Sequence, residues 1–228
     1  MAMTLSDFQG EVRANIKRSS DAIANSRITT WLNWAQNFLA DLHNYEEMQK
    51  IYEGATIADQ KRYGFPARLK DIYTLRLIDG NNSRKLIHIH PRDFDDKVPY
   101  PEQTTTGRSL YYVDYGVNFE LYRIPDASYV LELRANIYPV DLSGSSDTSE
   151  LVKKDALICA VATFFGFLGL REVEDAIYWR EEVAKPLYDA SLQSDHANVD
   201  WTPIARGFDS TEERVGVYWT NPLIKSNP

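Results

Sequence analysis

Apolar positions recur along this chain with two different periods, and the change of period divides it into blocks. From Ile28 the apolar residues fall at Leu32, Ala35, Phe38/Leu39, Leu42 and Tyr45, a 3.6-residue stripe that predicts a helix of about five turns. Ahead of it, Phe8, Val12 and Ile16 recur every fourth residue and predict a short amphipathic helix from Asp7 to Arg18. Ser6 and Gln9 there have capping-box spacing, with Ser6 as the expected N-cap. Beyond residue 50 the period falls to two. Ala55-Thr56-Ile57 and Tyr63-Gly64-Phe65-Pro66 are short extended pieces around a turn at Ala58-Asp59-Gln60. Ile72–Ile78 alternates, Asp79-Gly80-Asn81-Asn82 signals a hairpin, and Lys85–Ile89 is the expected partner strand.

Pro91 opens a predicted helical turn, and Val98–Thr106 reads as loop. The clearest alternation follows, from Gly107 to Pro139. Tyr111/Val113/Tyr115, Val117/Phe119/Leu121 and Tyr129/Leu131/Leu133/Ala135/Ile137 share faces in three successive runs. Turn signals at Asp114-Tyr115-Gly116 and Pro125-Asp126-Ala127-Ser128 separate them, which predicts a three-stranded antiparallel meander.

After Pro139 the helical period returns. Asp141–Ser149 is small and polar, a linker with Asp147 and Glu150 in capping-box relation, and Leu151–Leu168 is apolar almost all round, as a buried helix is. Gly169 is its expected end. A second helix from Arg171 to Gln193 carries Val173, Ala176/Ile177, Val183/Ala184, Leu187 and Ser191 on one face, with a kink expected at Pro186. The short connection implies an antiparallel helical hairpin. Residues 194–228 have no period yet hold Trp201, Phe208, Tyr218 and Trp219; so many aromatics point to an extended arm ordered against a neighbouring chain. The expected class is α+β: residues 1–50 and 141–193 form a helical bundle, 51–140 an inserted antiparallel β domain (sandwich or meander), and 194–228 a C-terminal arm.

Composition narrows the function. In 228 residues the net charge is −8, which argues against a general nucleic-acid binder. Fourteen tyrosines and five tryptophans favour protein interfaces. Trp31 and Trp34 flank the stripe of the second helix, where both could pack in the core; the alternative is that at least one of them sits at a subunit contact. The first 13 residues lack the layout of a signal peptide, and the longest apolar run, Ala156–Leu170, is too short to span a bilayer. A soluble protein made in a reducing cytoplasm, without a membrane partner, is the expectation.

Catalytic signal is nearly absent. Cys159 lies in an apolar run with no base or oxyanion donor nearby, the setting of a buried structural thiol. His88 and His90 would share a strand face, with Asp93, Asp95 and Asp96 beyond, yet no third ligand has metal-site spacing. No phosphate-binding glycine loop, nucleophile elbow or facing carboxylate pair occurs. No enzyme, cofactor or metal is expected. Two minor alternatives are a carbohydrate-binding module stacking sugars on Tyr111, Tyr112 and Tyr115, and a metal enzyme using His88 and His90.

The ordered set of features from Ile28 to Gln193 resembles the head-to-tail adaptor (connector) proteins of tailed bacteriophages. It comprises Trp31–Gln36, Leu77–Gly80, Phe94-Asp95, Gly107–Tyr112, Leu121–Asp126, Tyr129–Arg134 and Ala176–Trp179. The resemblance implies a virion-neck ring beneath the portal, commonly twelvefold, with the helices and a terminal segment on the portal and the β domain toward the tail or nozzle. It also implies a structural role in which genome DNA passes through the lumen without sequence-specific binding. An acidic character suits such a conduit.

Overall fold

Leu5, Phe8, Val12 and Ile16 are all buried, and their spacing forms α1 (Leu5–Ile16) in a computed structural model that describes residues 2–17, 23–98 and 106–198. Its cap lies two residues before the expected Ser6. The Thr4 hydroxyl accepts from the Asp7 N–H at 3.3 Å, and the Asp7 carboxylate accepts from the Thr4 N–H at 3.0 Å. The Thr4/Asp7 pair has the same spacing as Ser6/Gln9 and lets Leu5 enter the buried face; Gln9 reaches across to Thr29 instead. α2 (Asn25–Leu42) buries Ile28, Leu32, Ala35 and Leu39 of the predicted stripe together with Trp31 from its flank, whereas Phe38 and Leu42, expected in the stripe, are exposed and the helix ends before Tyr45.

The chain then crosses a 3₁₀ turn (Glu46–Met48) into β1 (Gln49–Ala55), β2 (Arg62–Gly64), β3 (Leu69–Asp79), β4 (Asn82–Lys85) and β5 (Ile87–Ile89). After α3 (Pro91–Lys97) come β6 (Tyr111–Asp114), β7 (Asn118–Tyr122) and β8 (Val130–Ile137). The strands form two four-stranded sheets, ordered β1-β8-β3-β4 and β2-β7-β6-β5.

Two pairings depart from expectation. β6 and β7 form a hairpin, but β8 leaves it and inserts between β1 and β3, so Gly107–Pro139 is not a meander. The apolar face of β8 (Leu131, Leu133, Ala135) is completed by Leu75 and Leu77 of β3, whose alternation matches it over more residues than β7 could offer. The hairpin after Gly80 (φ 57°) closes as predicted, with Asp79 facing Asn82. Its partner strand ends at Lys85, and Ile87–Ile89 crosses to the second sheet to pair in parallel with β6. Leu86, buried at the crossing, donates its N–H to the Leu75 carbonyl. Side chains from both sheets meet in one apolar cluster, where Phe119, Leu121 and Tyr112 pack with Leu75, Leu77, Leu131 and Leu133.

α4 (Asp155–Leu170) begins later than expected, because Leu151–Lys154 is a turn. It ends one residue beyond Gly169, with Arg171 in the left-handed conformation. The 141–149 stretch is not a slack linker. Asn33 of α2 clamps Leu142, accepting from its N–H at 2.8 Å and donating to its carbonyl at 3.1 Å. The buried Gln36 accepts from Ser149 at 2.7 Å. The Asp147 side chain does not cap α4 as expected; its carboxylate accepts from the N–H groups of Ser143 and Gly144 at 2.9 and 2.7 Å, which holds it below the ordinary carboxylate range. Glu150 turns toward Arg68 and the Val140 N–H.

The last helix is α5 (Val173–Tyr178), a π-helical segment (Trp179–Ala184) and α6 (Lys185–Asn198) in succession. Pro186 has no N–H, and the disturbance it causes is met by a shift of hydrogen-bond register: the Lys185 N–H donates to the Arg180 carbonyl, five residues back. The extra residue breaks the continuous face. Ala176 and Ala184 are buried against α4, Val183 and Leu187 half-buried, and Val173 and Ile177 exposed, contrary to the predicted face. α6 continues through residues 194–198, where the arm was expected to begin; the rest of that arm, with Trp201, Phe208, Tyr218 and Trp219, lies outside the described residues.

Helices from the two ends of the chain share one core: α1, α2 and α4 bury Phe8, Ile28, Leu32, Leu39, Ile158 and Val161 together. Lys70, which donates to the Ala40 carbonyl and to Asn44, fastens this helical core to the first sheet. So do Asn136 to Asn44 at 2.8 Å and Tyr138 to Asp41 at 2.7 Å.

Candidate interaction surface

The two tryptophans of α2 have opposite fates. Trp31 is 2% exposed, and α4 makes room for it with glycines. A Cβ on Gly166 would lie 2.5 Å from Ile16 and 3.3 Å from the Trp31 ring; one on Gly169 would lie 3.3 Å from the same ring. The glycines that interrupt the apolar run of α4 are thus a slot for an indole, and the Arg27 guanidinium lies over that ring at 5.3 Å. Trp31 serves the core.

Trp34, three residues on, faces outward at 54% exposure. Phe38 and Leu42 follow at four-residue spacing, 41% and 50% exposed, so one stripe of α2 presents three large apolar side chains to solvent. α4 extends the stripe sideways. Phe165 meets the Trp34 ring edge-on at 6.1 Å and the Phe38 ring at 5.8 Å, Phe164 lies 5.2 Å from Phe165, and the exposed Leu168 stands one turn further on. Edge-to-face contacts fix the rings against each other, so the ridge is preformed. A preformed aromatic patch on a helical surface is the usual anatomy of a protein contact, not of a small-molecule site. Of the expected contact residues, the described structure places Trp34 on this ridge and Trp31 beneath it. Phe38 was placed in the buried stripe and Phe164 and Phe165 were not singled out, although spacing from Trp34 and within α4 was the available signal.

The residues considered for chemistry lie apart. Cys159 is buried, and burial pushes its thiol up to about 12, a poor nucleophile. The His88 ring lies tilted against Tyr112 at 5.1 Å, while His90 has left the strand to cap α3, accepting from the Arg92 N–H at 3.3 Å. Among the described residues no three His, Cys, Asp or Glu side chains could hold a metal ion together. Tyr112 is buried and packs on Phe119, and Val113 beside it is fully buried, so Tyr111, Tyr112 and Tyr115 do not form an open sugar platform. A cleft of 710 Å³ opens between α4 and α6, lined by Glu46, Glu47, Lys153, Lys154, Leu157 and Leu187. Its buried Lys154 is already held by Glu47 at 2.5 Å and lies 4.5 Å over the Tyr45 ring, which makes it a structural pair. No helix among the described residues is long and apolar enough to cross a membrane.

Comparison with curated proteins returned no match. Comparison with protein families matched the SU10 adaptor protein family over residues 3–203, from α1 to beyond α6 and so most of the chain. The whole succession of helical core, two sheets and closing helices falls inside that match, and the chain belongs to the SU10 adaptor protein family, a family of phage head-to-tail adaptors with a structural role in the virion.

Proposed function

We propose that the protein is a ring-forming subunit of the phage neck, commonly twelvefold, that joins the portal to the tail or nozzle and lines the conduit through which the genome passes. The observation that carries this reading is the preformed ridge of Trp34, Phe38, Phe165 and Leu168 on the helical core, which we assign to the portal, with the β sheets toward the tail. Large rigid aromatics in a fixed arrangement bind at little conformational cost, as a lasting structural joint requires. The net charge of −8 suits a conduit wall that DNA slides past. The arm carrying Trp201, Phe208, Tyr218 and Trp219 is assigned to a neighbouring chain, where its aromatics would find cover.

Binding of the purified full-length chain to assembled portal rings tests the reading. The intact chain is expected to bind them, and a Trp34→Ser/Phe38→Ser variant to lose most of that binding while melting within a few degrees of the parent. A parent chain that ignores portal rings, or a variant that binds as tightly as the parent, would defeat it.

A further inference from the structure

Among the described residues the first sheet ends in two open edges, and charge distinguishes them. β1 is seven residues long, has no proline, and lies exposed along nearly its whole length. β4, at the other edge, is exposed throughout. Among the described residues no strand pairs with the outer side of either. Long unprotected edges of this kind are normally blocked in proteins that remain alone.

One cross-strand row runs from edge to edge on the outer face. Glu53 of β1 faces Glu132 of β8, Glu132 faces Arg76 of β3, and Arg76 faces Lys85 of β4. The row is therefore acidic at the β1 edge and basic at the β4 edge. Arg134 engages Glu132 at 2.8 Å, but neither Glu53 nor Lys85 has an ion-pair partner among the described residues. The next row, Ala55–Val130–Ile78–Ser83, is uncharged.

We infer that subunits of this protein join edge to edge, β4 of one copy adding antiparallel to β1 of the next with Lys85 opposite Glu53. Strand direction permits it. Every neighbour in the sheet is antiparallel, so β4 runs opposite to β1, and a second sheet placed in line meets the first as an antiparallel pair. The same register puts Ala55 opposite Ser83 and Gly54 opposite Arg84. A Cβ at Gly54 would have no neighbour within 4 Å, so the Arg84 side chain meets open space. Opposite charges directly across a strand pair stabilise it, whereas pairing two β1 edges or two β4 edges would bring like charges near one another. The contact uses different surfaces on its two sides and so is heterologous, the kind that closes into a ring when its rotation permits. This inference rests on the ring reading above and names the contact that would build the ring.

Disulfide trapping tests it in the full-length chain, alone and with portal rings. The one native cysteine, Cys159, is buried and gives little background. Directly opposed residues in a strand pair are close enough for a disulfide, so Glu53→Cys/Lys85→Cys should oxidise to a ladder of covalent oligomers. Each single variant should stay at least tenfold less cross-linked, and an equimolar mixture of the two singles should give covalent dimers only. Charge reversal supplies a second readout. Glu53→Lys and Lys85→Glu should each weaken self-association severalfold, and mixing them should restore it, because every contact in an alternating ring then pairs opposite charges. If rings assemble with no ladder and charge reversal has no effect, the edge contact is wrong while the ring stands. If Glu53→Cys alone cross-links efficiently, the contact is β1 to β1 and the inference fails. If no oligomer forms with or without the portal, the ring reading falls with it.

Discussion

The helical half and the β half of this molecule solve the burial problem differently. The helical core is closed. Met3 donates its N–H to Asp155 at 3.1 Å, Thr4 bridges to Thr148, and α1, α2 and α4 wrap Trp31 into a glycine slot. Its exposed apolar residues include one fixed aromatic ridge. Among the described residues the β half closes only on its inner side, where the two sheets meet, and the edges of the first sheet are open. A closed core with a ridge suits a rigid plug-like contact, and open edges suit lateral growth. Under the proposed assignment, that contrast predicts that portal binding and ring closure are separable by mutation.

The largest expected effect breaks the comparison at its roots. Leu32 is fully buried in the helical core, and Leu32→Ala should cost about 2–5 kcal/mol. Leu133→Ala in the β cluster should fall in the same range. If the two halves fold as one cooperative unit, held by Lys70, Asn136 and Tyr138, both variants lower a single melting transition seen by circular dichroism and calorimetry alike. Two transitions, each shifted by one variant only, would show the halves to be independent.

Next is the buried pair beside the α4/α6 cleft. Lys154 is 6% exposed in its side chain, and Glu47→Gln removes a carboxylate that pairs with it. We expect a loss of about 3 kcal/mol in chemical denaturation, with the double variant Glu47→Gln/Lys154→Met costing clearly less, because neither charge is then left buried. Equal costs would mean that the pair is not electrostatic in origin.

Smaller still is the ridge. Trp34→Ser and Phe38→Ser remove half-exposed rings, so each should change stability by about 1 kcal/mol or less in urea unfolding. A loss as large as that of Leu32→Ala would turn the ridge into core and remove the reason to assign it to a partner.

The smallest effect is at acid pH. Asp7 and Asp147 both lie below the ordinary carboxylate value of 3.8, Asp7 through the Thr4 hydroxyl and N–H and Asp147 through the Ser143 and Gly144 N–H groups. A depressed folded value contributes stability that is present above pH 4 and is lost as pH falls through the lowered value. The parent should therefore lose melting temperature in that acid window, and Asp147→Asn should lose less. Identical acid profiles would remove the carboxylate from the account.

The existence of the helices was legible because 3.6-residue periodicity is a local property, as in the stripe of α1 and the all-apolar α4; which residues they bury was not always so, for Phe38 and Leu42 of α2 and Val173 and Ile177 of α5 face outward. Strand existence was legible for the same reason, but pairing was not. Alternation states which face of β8 is buried and leaves open that its partners are β1 and β3 in preference to β7, a choice made by apolar matching between distant segments. The cap of α1 was misplaced because two overlapping stretches, Thr4/Asp7 and Ser6/Gln9, have the same spacing, and only the position of Leu5 in the core separates them. The ridge was half legible. Trp34 stood off the buried stripe, but Phe165 comes to it across α2 and α4, a contact no local pattern records.

The central claim, that this adaptor builds a ring on the portal, is met most directly by the mass of the complex between full-length chain and portal rings. The account predicts a single species whose added mass corresponds to one closed ring of subunits per portal, unchanged by excess protein. Portal rings that keep their own mass, or that take up a variable number of chains in proportion to concentration, would contradict it.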